Sequence, residues 1–243
     1  MPERASGNVV GVTDFSSTQP QIDDSAIMWS IPRDELATRL PGSPLLVIMH
    51  GYGSHEADLI SLAPYLPGTI VCASLRAPLI APAPIQNGFA WFQIGEPGNP
   101  EPAGVDAAAR GVLAWLDGLE TAYGAPAAVS ILGFSQGGAM ALQLVRHAPE
   151  RFASSVNLSG FVISGDAPAD TALETLRPRV FWGRDERDPV IPPSAVARTA
   201  TWLETHAEVD ARLYPGAGHG IVGDEITAVR EFLDQTLLVA AEV

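Results

Sequence analysis

The residues best placed to do chemistry are in Gly133-Phe134-Ser135-Gln136-Gly137-Gly138, where a serine stands between two glycines. Before it runs Ala128-Val129-Ser130-Ile131-Leu132, short and apolar. After it runs Ala139-Met140-Ala141-Leu142-Gln143-Leu144-Val145-Arg146-His147, built from good helix formers. A strand turning sharply into a helix at Ser135 forces unusual backbone angles on the serine and brings neighbouring backbone close, so only small residues fit at 133 and 137. Such an elbow points Oγ out of the sheet and sets the helix amino terminus, with its free N–H groups and positive dipole end, beside any oxyanion that develops there.

A serine hydroxyl is a poor nucleophile near neutral pH and needs a base, and the base needs an acid to orient it. Of the histidines beyond the elbow, His206 ends a helix-like stretch and reads as solvated, whereas His219 lies in Tyr214-Pro215-Gly216-Ala217-Gly218-His219-Gly220, a glycine-rich loop after the last strand. The acid is sought in Gly183-Arg184-Asp185-Glu186-Arg187-Asp188-Pro189-Val190-Ile191-Pro192. Asp188 is the choice, fixed by Pro189 and followed by an apolar anchor; Asp185 and Glu186, beside Arg184 and Arg187, read as exposed ion pairs of small value. Oxyanion donors are expected from the backbone of Gln136, after the nucleophile, and of Tyr52, in the loop His50-Gly51-Tyr52-Gly53. His50 reads as a structural histidine that holds this loop by hydrogen bonds.

The elements that must position these groups alternate. Strands are predicted near 26–31 (an edge strand), 45–49, 69–74, 128–132, 154–158, 179–182 and 209–214, and helices over 56–65, 105–123, 139–147, 195–205 and 226–238. This pattern implies a mostly parallel sheet with helices on both faces and the site at the carboxyl ends of the strands. Residues 76–102, rich in Pro, Gly and Asn, are predicted to form a long functional loop in which Trp91 and Phe92 either wall a substrate pocket or anchor the loop in the core. The segment 159–178 is too short for a helical cap domain, so the site is expected to be open. Residues 1–24 read as a polar lead-in, an edge strand or disordered segment, before a single domain over 25–243.

Composition narrows the partners. The chain has 243 residues, of which 47% are hydrophobic and only 17% charged, which suits one compact α/β domain. A formal net charge of −14 repels nucleic acid and anionic membrane surfaces. No run approaches the roughly 18 apolar residues of a membrane span, and the amino terminus lacks a secretory apolar core, so a soluble, cytoplasmic protein is expected. The single cysteine, Cys72, reads as a small buried strand residue.

The segments VIMHGYGSHEADLISLAPYLP, LRAPL, NGFAWF, GFSQGGAMALQL, NLSGF, GRDERDPVIP and YPGAGHGI occur in the order found in the carboxylesterase, phospholipase and acyl-protein thioesterase family of small α/β-hydrolases, and the chain resembles that family from about Leu45 to its last helix. The lead-in and the stretch Ser54–Asp58 depart from the family pattern. The resemblance implies an α/β-hydrolase fold without a large cap domain, with Ser135, Asp188 and His219 as triad and Tyr52 and Gln136 as oxyanion donors. It implies hydrolysis of carboxylic esters of small to medium acyl chains, with thioesterase or lysophospholipase activity on the same parts as the alternative. A non-catalytic binding module that has kept its elbow is the alternative of another class. Trp91, Phe92 and Phe161 are the candidate substrate contacts. No metal or cofactor is expected, the partner is a small-molecule ester, and a homodimer is left open.

Overall fold

A computed structural model of the chain describes residues 20–242. The strands are β1 (Met28–Trp29), β2 (Pro44–Met49), β3 (Val71–Leu75), β4 (Leu79–Ile80), β5 (Phe89–Ala90), β6 (Ala128–Phe134), β7 (Ser154–Leu158), β8 (Arg179–Arg184) and β9 (Glu208–Leu213). Seven of them form one sheet in the order β1-β3-β2-β6-β7-β8-β9, and β4 pairs with β5 in a small hairpin. Every pairing in the large sheet is parallel except that of the edge strand β1 with β3. This is the mostly parallel sheet of the α/β-hydrolase fold, with β1 at the expected edge. Helices α1 (Leu36–Arg39), α2 (Pro102–Tyr123), α3 (Gln136–His147), α4 (Asp170–Leu176), α5 (Pro193–His206), α6 (Gly223–Leu233) and α7 (Val239–Ala241) complete it. Residues 159–178 hold only the seven-residue α4, so no cap domain is present there.

The central strands are apolar throughout because each face is covered. Along β2, Leu45, Val47 and Met49 face a cluster with residues of α2 and α3, while Leu46 and Ile48 face a second cluster with residues of α6. β8 divides likewise, with Val180 and Trp182 packed beside Leu142 of α3 and Leu203 of α5, and Phe181 on the opposite side near Phe232. Cys72 is buried in β3, and burial pushes its thiol up to about 12, which removes it as a nucleophile at neutral pH.

Helix α3 is buried along nearly its whole length, including the charged Arg146. Arg146 donates to both carboxylate oxygens of Asp170 at 2.8 and 2.6 Å and to the carbonyls of Ile163 and Gly165 at 2.9 and 2.6 Å. A buried guanidinium is tolerated because its donors are so fully used. These bonds fasten the chain after β7 to the helix that starts at Ser135.

Three predicted elements differ. The helix expected over 56–65 is instead a 3-10 helix, Leu59–Tyr65, containing Pro64, which has no N–H to donate. The loop expected over 76–102 contains the β4–β5 hairpin, and its tail opens α2, with Pro102 in the first turn, where a missing N–H is harmless. The last helix begins at Gly223 and passes through a π-helical turn, Asp234–Leu238. Of the lead-in expected over 1–24, residues 1–19 lie outside those described.

Trp91 is corrected from pocket wall to loop anchor. It is 0% exposed, its indole N–H donates to the His50 carbonyl at 2.9 Å, and its backbone N–H donates to Gln136 Oε1 at 2.7 Å. A side chain with no open surface cannot touch substrate. Phe92 and Phe161, in the same cluster, keep only 3% and 6% of their surface open, which leaves little room for contact with substrate.

Two consequences are measurable. Trp91→Ala should lose about 3–5 kcal/mol of stability through the cavity it leaves, read from urea unfolding midpoints, in place of a shift in chain-length preference. Arg146→Ala should cost about 3–5 kcal/mol by the same measurement, because Asp170 and two carbonyls lose their buried donor.

Candidate active site

The strand β6 ends and α3 begins at Ser135, whose φ of 55° and ψ of −114° lie outside the ordinary regions for an L-residue. Glycines on either side make this turn possible. A Cβ at Gly133 would collide with the carbonyl of Gly137, and one at Gly137 with the carbonyl of Met49 at the end of β2. The Ser135 N–H donates to Leu158 O of β7 at 2.8 Å, and its carbonyl accepts from Ala139 N–H at 3.0 Å, which locks the elbow between sheet and helix.

The structure brings Ser135, His219 and Asp188 together in one hydrogen-bonded chain. Ser135 Oγ lies 2.8 Å from His219 Nε2, and His219 Nδ1 lies 2.7 Å from Asp188 Oδ2. A carboxylate only accepts, so the ring donates from Nδ1 and Nε2 is left to accept the serine proton. The other carboxylate oxygen of Asp188 accepts the N–H groups of Val190 and Ile191 at 2.7 and 3.1 Å, and Ile191 is buried. That is the apolar anchor expected after Pro189. The His219 ring packs on Phe134, with centroids 5.0 Å apart.

Asp185 is a correction. It was expected to form an exposed pair with neighbouring arginines. Instead it is buried, taking the Arg187 N–H on one oxygen at 2.9 Å and the N–H groups of Gly216 and Gly218 on the other, both at 2.8 Å. These backbone donors, chiefly those of Arg187 and Gly218, hold its carboxyl below the usual range. Asp185 therefore ties the loop that carries Asp188 to the loop that carries His219. Sequence alone shows two aspartates three residues apart, and only the fold shows that one faces the ring and the other the backbone.

The loop after β2 passes beside the serine: a Cβ at Gly51 would stand 3.1 Å from the Phe134 ring and 3.5 Å from Ser135 Cβ. The Gly53 N–H donates to Phe89 O at 2.8 Å, the Ser54 N–H to Gly51 O at 3.2 Å, and Phe89 returns its N–H to Ser54 O at 2.8 Å. The Tyr52 N–H has no acceptor among the described residues. His50 is buried, donates from Nδ1 to Gly51 O at 2.7 Å and accepts the Ala77 N–H on Nε2 at 3.1 Å. Burial lowers its pKa and keeps it neutral, a holder of the loop.

Two supports were not foreseen. Gln136 accepts from Trp91 N–H and donates from Nε2 to Phe92 O, both at 2.7 Å, so its side chain stitches the hairpin tail to the elbow while its backbone N–H, in the first turn of α3, has no intrahelical acceptor. Glu56, in the stretch that departs from the family pattern, forms a two-pronged ion pair with Arg76, which in turn lies over the Phe89 ring at 4.6 Å. It braces the same loop. An Arg and a Glu so far apart in sequence carry no pairing signal of their own.

Comparisons with known proteins bear on the family and the fold. A family model described as phospholipase/carboxylesterase matches residues 36–237. Acyl-protein thioesterase 1 of Saccharomyces cerevisiae is 27% identical over 217 residues, covering 81% of this chain and 94% of the yeast protein. Among solved structures, the carboxylesterase of Mesorhizobium loti aligns with a TM-score of 0.69 at 25% identity, over 82% of this chain and 91% of its own. Esterase PE8 aligns with a TM-score of 0.68 at 26% identity, over 81% and 94%. With the model spanning most of its length, the chain belongs to the phospholipase/carboxylesterase family of α/β-hydrolases.

Proposed function

We propose that this hydrolase cleaves carboxylic esters of small to medium acyl chains through an acyl-serine intermediate. The hydrogen-bonded chain from Ser135 through His219 to Asp188 is the observation that carries the reading. In it, Ser135 Oγ attacks the ester carbonyl carbon while His219 Nε2 takes its proton, and Asp188 orients the ring and stabilises the imidazolium. The carbonyl oxygen becomes an oxyanion held by the backbone N–H groups of Gln136 and Tyr52; Gly53 and Ser54, the next donors in that loop, already spend theirs on Phe89 and Gly51. As the tetrahedral intermediate collapses, His219 returns the proton to the leaving alkoxide. Water, activated by the same nitrogen, then attacks the acyl-serine and frees the acid.

The yeast relative named acyl-protein thioesterase supports a second substrate class for the same parts, the thioester, whose carbonyl would meet the same nucleophile and donors. Neutral esters remain the first choice, and the acidic surface disfavours an anionic lipid interface. Among the described residues no helix is long and apolar enough to cross a membrane.

Ser135→Ala should lower kcat on p-nitrophenyl acetate by at least about 10⁴-fold and abolish labelling by a fluorophosphonate probe, and Asp188→Asn should cost about 10⁴-fold in kcat. Wild-type turnover by Ser135→Ala, or labelling that survives in it, would return the chain to a non-catalytic binding role. A panel of esters and thioesters of graded acyl length separates the two substrate classes by kcat/KM.

A further inference from the structure

Glu225 is a buried acid that the triad does not use. It lies in the first turn of α6, 1% exposed, and its Oε1 has no hydrogen-bond partner among the described residues. That oxygen lies where the side chain of residue 183 would begin: a Cβ at Gly183 would collide with it. Gly183 is near the carboxyl end of β8. It pairs with Leu158 and Arg212, its carbonyl accepts the Ser159 N–H at 2.8 Å, and the chain then runs on as Arg184, Asp185 and Asp188. The other end of the contact is as close to the chemistry, because α6 begins immediately after His219-Gly220-Ile221-Val222. Glu225 thus joins the root of the acid loop to the root of the base loop, below the tie that Asp185 makes between the loops themselves.

Among the described residues no cation pairs with an ionised Glu225. Arg212 of β9, on the same face over Phe181, is paired with Asp210. Arg184 stacks on Trp182 and donates to the Asp185 carbonyl. Asp185 carries negative charge, and the Tyr214 phenol is pushed up first by burial and then by Glu225 itself. The 3-10 helix Leu59–Tyr65, packed against α6, has no charged side chain. On α6, Asp224 and Glu231 are acidic as well, and Arg230 forms no ion pair among the described residues. An unpaired carboxylate in such a pocket is unfavourable, whereas a neutral carboxyl group fits.

We propose that Glu225 is a positioning residue: as a neutral carboxyl group it fills the space over Gly183 and holds the Asp188 and His219 loops in register, and loss of its proton loosens both. This rests on the reading of Ser135, His219 and Asp188 as a catalytic triad. Burial pushes the Glu225 carboxyl up to about 7, against a smaller opposing pull from the Val222 N–H. Since the folded-state value lies above the ordinary 4.5, the stabilisation from the bound proton is complete below about 4.5 and is lost as pH rises through about 7.

The experiment compares wild type with E225Q, which keeps the shape and cannot ionise, and with E225A, which opens a cavity. Turnover of p-nitrophenyl acetate and the thermal midpoint are followed from about pH 5.5 to 9.5. In wild type, kcat/KM and Tm should both fall through about pH 7 by a step that E225Q lacks, so that the ratio of mutant to wild-type kcat/KM rises at least about threefold between pH 6 and 8.5. E225A should be at least about tenfold slower in kcat at every pH, and E225Q should recover most of that loss. On wild type alone, ¹³C-labelled Glu225 should titrate near pH 7, with the His219 Nδ1 proton resonance shifting at the same midpoint. Superimposable wild-type and E225Q profiles, or a Glu225 carboxyl that titrates near its ordinary value, would overturn the proposal while S135A stays inactive. Ester turnover retained by S135A would overturn the triad reading and this one together.

Discussion

The contact on which the site depends is between backbones, where the first turn of α3 presses on the ends of β2 and β6. A side chain at 133 would meet the Gly137 carbonyl, and one at 137 would meet the Met49 carbonyl. Because both positions are bare, α3 can start within one residue of the strand, and Ser135 takes a backbone conformation that strain alone would disfavour. The surrounding packing holds it there: α3 is buried between the sheet and α2, and Arg146 clamps its far end to the chain that follows β7. Stability gathered along the whole helix is thereby applied to one turn.

Much of this was legible in sequence because it was local. The elbow shows itself by glycine spacing between an apolar run and a helical one. Asp188 and His219 follow at strand-to-helix loops, where a parallel sheet presents its carboxyl ends. What stayed hidden depends on which side chain meets which after folding. Asp185 and Asp188 are chemically alike and three residues apart, yet one binds three backbone N–H groups and the other the imidazole. Trp91 was equally compatible with a pocket and with a core, since an aromatic in a Pro- and Gly-rich segment serves either. Its burial was decided by a partner 41 positions away in the sequence, the His50 carbonyl.

Three acidic groups near Ser135 and His219 illustrate how environment divides labour among identical chemistry. Asp188 meets an imidazole N–H and two backbone N–H groups, which suits an orienting charge. Asp185 meets backbone donors alone, which suits a permanent charge that stitches loops. Glu225 is buried over the bare backbone of Gly183 with one oxygen unpartnered, and burial outweighs the Val222 N–H, which suits a neutral acid. For Asp185 and Glu225 the opposite directions of the shift follow from backbone donors in the one case and burial in the other.

The same distribution explains how a fold without a cap domain keeps its site ordered. The loop after β2 is held by Phe89, by neutral His50 and by the Glu56–Arg76 pair; the loops that carry Asp188 and His219 are held to each other by Asp185. Each of these ties ends on backbone or on a side chain braced by the core, so the loops are fixed from below. On the proposed reading, a substrate approaching Ser135 would meet groups already oriented for an oxyanion and a proton transfer, the condition under which fixed dipoles outperform water. The order of the site thus comes from its sheet side, through ties that end on backbone and core rather than on a cap.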